Sequence, residues 1–114
     1  MNETNIQKIK HKWGELLRQL EITFGEKPDL QGMIFLIGVQ ELGKGYQNFT
    51  KEEKQDLMHI AVCRLLHYEG VFEFVGRDAD GWPHFERVKD LPPLGPDEQE
   101  RLMKEAVLSY FEAH

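Results

Sequence analysis

Residues 50–70, TKEEKQDLMHIAVCRLLHYEG, constrain this chain more than any other stretch, because both ends of a helix are written there. Thr50 and Glu53 stand in the S/T-x-x-E spacing of a capping box, in which each side chain satisfies the other residue's backbone N–H. Gly70 supplies the residue at which a helix can turn left-handed and stop. Between them lie Leu57, Met58, Ile60, Ala61, Val62, Leu65 and Leu66. At about 100° per residue they cover roughly half the helix circumference. Surface helices carry a narrower stripe, so the spacing predicts a central helix. Cys63, His59 and His67 share it.

The flanking segments read as further helices. Ile6, Ile9, Trp13, Leu16, Leu17, Leu20 and Phe24 recur at i, i+3, i+4, which predicts a helix over 5–24. Thr4, with Gln7 as reciprocal partner, is the expected cap and Gly25 the stop. Gly14 lowers helix propensity by up to about 1 kcal/mol, so a close neighbour is expected there. Asp29 is a good N-cap for residues 30–42, which are apolar nearly all round. The run MIFLIGV fits a buried strand as well as a buried helix. Length, the Asp29 cap and the Gly43-Lys44-Gly45 stop favour helix, in which Gly32 and Gly38 would admit a close neighbour.

After Gly70 the period changes. Val71–Val75 and Trp82–Val88 flank Asp78-Ala79-Asp80-Gly81, a hairpin signal. Phe72 and Phe74 fall on one face, and Phe85 can join them. Pro83 cannot donate to a ladder. Leu91-Pro92-Pro93-Leu94-Gly95 is a stiff connector, and Pro96 with Asp97 and Glu98 opens a last helix. Leu102, Met103, Ala106, Val107, Tyr110 and Phe111 form its expected buried face. The fold class expected is mainly α: four helices with one small β-hairpin inserted between the third and fourth, as a single helical domain over residues 1–114.

Composition narrows the function classes. With 114 residues, the chain can bury about two-thirds of its unfolded surface in one core. The longest apolar run, Met33 to Val39, falls far short of the roughly 20 residues that span a bilayer. MNETNIQKIKHKW has no apolar h-region, so no secretory signal is expected. One cysteine gives no internal disulfide and fits a reducing compartment, with the cytoplasm as default. A net charge of −6 argues against nucleic acid as partner. The charge runs from basic at residues 1–20 to acidic at 91–114, which could favour head-to-tail self-association, although such faces are more often merely solvated.

Motifs with a possible chemistry are few. His59, Cys63 and His67 at i, i+4, i+8 offer zinc or copper ligands. Along a straight helix they splay over about 12 Å, so at most two reach one ion. A further ligand such as His11, His84 or His114 would be needed, and the alternative is that Cys63 is a small core residue. Gly38–Lys44 matches G-x-x-x-x-G-K, but Gly45 follows where a phosphate loop needs Ser or Thr. It reads as a helix C-terminus. Asp78-Ala79-Asp80-Gly81 shares a pattern with part of a calcium loop, yet Gly76 and Arg87 would occupy its first and last ligand positions. It reads as a turn. No catalytic constellation stands out, and no cofactor is implied.

LLHYEGVFEFVGRDADGW resembles the wings of winged-helix bacterial regulators in its order of helix, glycine, apolar strand and acidic tip. That resemblance implies a DNA-binding or degenerate regulator domain. The preceding helix, however, starts Lys-Glu-Glu-Lys-Gln-Asp, where a DNA reader shows a basic stripe. The leading expectation is therefore a small non-enzymatic protein–protein interaction module, contacting its partner at the hairpin through Trp82, His84, Arg77 and Phe85.

Overall fold

In this computed structural model residues 3–45 and 47–113 are described, without the side chains of residues 3–5 and 24. They form four helices, α1 (Glu3–Phe24), α2 (Leu30–Leu42), α3 (Lys51–Leu66) and α4 (Pro96–Ala113). A two-stranded antiparallel hairpin, β1 (Phe72–Arg77) and β2 (Pro83–Arg87), lies between α3 and α4. The mainly helical class with an inserted hairpin is thus the fold observed. None of the helices is long and apolar enough to cross a membrane.

The capping box forms as the sequence implies. Glu53 N donates to Thr50 Oγ1 at 3.1 Å, and Thr50 N donates to Glu53 Oε1 at 2.9 Å. At its other end α3 tightens into a 3-10 turn, His67–Glu69. Gly70, at φ +73°, then donates to His67 O, and Val71 N donates to Leu66 O. This pair of bonds is a Schellman motif, and Leu66 and Val71 pack together over it. The helix therefore ends by turning the chain directly into β1.

Residues 30–42 are a helix. Asp29 Oδ1 accepts the Gly32 N–H at 2.7 Å, and Gly43 closes the far end at φ +76° with its N–H on Val39 O. The G-x-x-x-x-G-K match is therefore the end of α2. Gly38 lies where α2 meets α3: a Cβ there would fall 2.3 Å from Leu57 O. Gly14 behaves differently from expectation. Among the described residues a Cβ there would meet only Arg18 Nη1, at 3.9 Å, so none of them requires this glycine. α1 already includes Thr4, whose side chain, like that of Phe24, lies outside the described residues.

Three apolar clusters share α3. The largest joins Leu16 and Leu20 of α1, Met33, Ile34 and Ile37 of α2, Ala61 and Leu65 of α3, and Ala106, Val107, Leu108 and Tyr110 of α4. A second sets Cys63 and Leu66 against Val71 and Phe72. A third holds Leu42, Phe49 and Leu57, with Trp82 packed on it. The molecule is flat, 47 × 38 × 24 Å, with a radius of gyration of 14.8 Å. About 13 Å is usual for a compact chain of this length. Spreading the core over three clusters leaves grooves between elements.

Candidate functional site

One of these grooves lies where the hairpin crosses the C-terminal ends of α2 and α3. It is an open cleft of about 310 Å³ lined by Glu41, Arg64, His67, Phe74, Arg77 and Phe85. Both central helices end here, so their terminal turns bring two charged side chains, Glu41 and Arg64, to one place. Arg64 Nε donates to Glu41 Oε1 at 3.2 Å, and the Tyr110 hydroxyl donates to Glu41 Oε2 at 2.8 Å. Burial, then the hydrogen bond to the Glu41 carboxylate, pushes the Tyr110 phenol well above its ordinary range. It therefore acts as a fixed donor. The Arg64 guanidinium lies 4.9 Å from the Tyr68 ring centroid and 5.7 Å from that of Tyr110, which holds it by cation–π contact.

A β-bulge supplies the opposite wall. Phe74 pairs with Phe85, but Gly76 pairs with His84, so Val75 is the extra residue and Gly76 takes φ +150°. One inserted residue shifts side-chain alternation by one place. Arg77 thereby joins Phe74 on the cleft side of β1, where unbroken alternation would turn it away. Its Nη2 donates to Glu41 O at 2.8 Å, and its Nη1 to Gly81 O at 2.8 Å and Leu42 O at 3.4 Å. A cation on the last carbonyls of α2 suits the negative end of the helix dipole. Lys44 Nζ also donates to Asp80 O. The hairpin tip is thus tied to the end of α2.

Phe74 and Phe85 meet edge-on at 5.7 Å. Phe72, two residues before Phe74 on the same face, is buried, whereas Phe74 is 55% exposed. The hairpin therefore closes on α3 at its base and stands open at Phe74.

The residues singled out from sequence separate into three groups. Arg77 and Phe85 line the cleft. Trp82 is half-buried and rests on the cluster of Leu42, Phe49 and Leu57, which makes it a pin for the hairpin tip. His84 is exposed, with Nε2 3.0 Å from Asp78 Oδ2. That contact, then the Trp82 and Asp80 N–H groups on Oδ1, holds the Asp78 carboxyl below its ordinary range. The Asp-Ala-Asp-Gly segment is the turn of the hairpin, with Gly81 at φ +86°.

Of the three helical metal candidates, His59 Nε2 and Cys63 Sγ lie 3.5 Å apart. His67 turns elsewhere: its Nδ1–H donates to Phe72 O at 2.8 Å. No group of three His, Cys, Asp or Glu among the described residues is placed to hold a metal ion. His114 lies outside the described residues. Burial pushes the Cys63 thiol upward, and Arg87 offsets this in part.

Sequence reasoning missed Arg64, Tyr110 and Phe74 as parts of one site. One signal was present: Arg64 interrupts the apolar run Ala61–Leu66, where a charge is unexpected. No protein-family model, no curated protein and no solved structure matches the chain.

Proposed function

We propose that this chain is a small non-enzymatic interaction module that grips a protein partner in the cleft between the hairpin and the ends of α2 and α3. The observation that carries this reading is Phe74: a large aromatic side chain, 55% exposed, at the mouth of a cleft whose other wall is charged and organised. Aromatic and arginine side chains set in a pocket are the residues that dominate binding energy at protein interfaces. Tyr68, exposed, lies beside the cleft-lining Arg64. The lone thiol, Cys63, is buried and suits a reducing compartment, and we place the module in the cytoplasm. The acidic turn residues Asp78 and Asp80 at the hairpin tip weigh against the DNA-binding alternative.

The test compares affinity capture from native extract by the wild type, Phe74→Ser and Ile22→Ser. Ile22 is 85% exposed on α1 and is not among the residues that line the cleft. A partner retained by the wild type and Ile22→Ser and lost by Phe74→Ser supports the reading. Equal retention by all three contradicts it. Light scattering on the same proteins shows whether the partner is a second copy.

A further inference from the structure

We infer that the cleft reads a single side-chain carboxylate next to an aromatic ring, as offered by an Asp-aromatic or Glu-aromatic segment of a partner. This rests on the cleft being the recognition surface.

Three observations carry the inference. The first is charge balance. Arg64 and Arg77 face one carboxylate, Glu41, which leaves one positive charge in a chain whose net charge is −6. One monoanion completes that balance, whereas a phosphate dianion or an acidic tract would meet Glu41 and the acidic remainder of the molecule.

The second is idle donor capacity. Of the Arg64 guanidinium, only Nε has an acceptor among the described residues, and Nη1 is buried without one. Nη1 is enclosed, so a ligand in the cleft meets Arg64 through the 22% of its side chain that remains exposed there. With Nε on Glu41 and Nη1 enclosed, the guanidinium offers one charge-assisted hydrogen bond, which matches one carboxylate oxygen, and Tyr68 and Tyr110 flank it by cation–π contact.

The third is the aromatic wall. Phe74 and Phe85 meet edge-on, which leaves the exposed Phe74 ring free to take a further ring by offset or edge contact. About 310 Å³ is at the small end for ligand pockets, enough for one or two side chains. A chain terminus is the poorer occupant. Terminal carboxylates are captured by nests of backbone N–H groups. This cleft is bordered instead by the carbonyl end of α2, with Glu41 O and Leu42 O already taken by Arg77.

The experiment titrates the ¹⁵N-labelled full chain with acetyl-Gly-Asp-Phe-Gly-amide and with its Asp→Asn counterpart, and follows amide and arginine Nε–H resonances. Charge-assisted hydrogen bonding predicts about tenfold tighter binding of the Asp peptide. The shifts should centre on Arg64, Phe74, Arg77 and Phe85. Arg64→Met, which keeps the aliphatic stem, should abolish the difference between the peptides. The comparison on the wild type needs no variant, so it stands even if Arg64→Met does not fold. Equal affinities, shifts centred elsewhere, or tighter binding of inorganic phosphate or acetyl-Gly-Phe acid would overturn the inference. If Phe74→Ser still loses its partner while the two peptides bind alike, the recognition surface stands and the carboxylate preference falls. If the Asp peptide binds the cleft while capture is indifferent to Phe74, the carboxylate site stands and the partner reading falls.

Discussion

Replacing Gly38 by alanine should destabilise the protein, against the ordinary preference of helices for alanine. A Cβ at this position falls 2.3 Å from Leu57 O, 2.8 Å from Leu57 C and 3.1 Å from Leu57 Cβ. Carbon-to-oxygen contacts settle at about 3.3 Å or more, so α2 and α3 must part locally by about 1 Å. The nearest two obstacles are backbone atoms, which cannot rotate away as a flexible side chain can. A gap of that size forfeits roughly a quarter to a half of each dispersion contact across the seam. Overpacking of this kind costs about 1–3 kcal/mol or more, and alanine's propensity returns up to about 1 kcal/mol. We expect a net loss of about 2 kcal/mol, a fall in Tm of about 10 °C. The assay is urea and thermal unfolding followed by far-UV circular dichroism, with Gly14→Ala as internal contrast. Among the described residues a Cβ at Gly14 meets nothing nearer than Arg18 Nη1 at 3.9 Å, so that change should stabilise by up to about 1 kcal/mol. Equal gains from both substitutions would refute the close approach of α2 and α3.

Other outcomes follow from the polar groups. Tyr110→Phe leaves Glu41 Oε2 without its donor and should cost about 1–2 kcal/mol at neutral pH by urea titration. Because the Tyr110 phenol is raised on folding, its contribution is present below the ordinary tyrosine range and lost as pH climbs through the folded value. The wild type should therefore weaken above pH about 10 more steeply than Tyr110→Phe. Asp78 is lowered on folding, so its contribution is present above the ordinary carboxylate range and lost as pH falls through the folded value. The gap in urea midpoint between wild type and Asp78→Asn should narrow below pH about 4, and a gap constant with pH would contradict this. Cys63, buried and with its thiol raised, should react with iodoacetamide far more slowly in the folded chain than in urea, as followed by mass spectrometry.

Local chemistry was legible in the sequence, and long-range pairing was not. The capping box, the Gly70 stop, the Asp29 cap and the Asp-Gly turn each depend on residues within five positions of one another, and each formed. The ambiguity of MIFLIGV was resolved by its ends, because a capped start and a left-handed Gly43 belong to helices. Gly38 and Gly14 look alike as letters. What separates them is the neighbour each one meets, which periodicity cannot supply. The cleft failed for the same reason. Glu41 and Tyr110 are 69 residues apart, and Arg77 reaches α2 across 36. Two charges at the ends of two helices meet only once the crossing of those helices is known. The bulge at Val75 was hidden too, since the Val71–Val75 pattern gives no sign that Arg77 changes face. Trp82 drew attention by its place beside the turn, yet its half-buried ring serves the third cluster while Phe74 marks the open side.

If the chain binds a partner as proposed, the contact lies at the cleft mouth, beside Phe74. The most direct test places a photo-crosslinking benzoylphenylalanine at Phe74 and, in a separate protein, at Ile22, with irradiation in native extract and mass spectrometry of the adducts. A discrete adduct at Phe74, absent at Ile22 and suppressed by excess acetyl-Gly-Asp-Phe-Gly-amide, is the outcome expected. The same adducts from both positions, or none from Phe74, would contradict it.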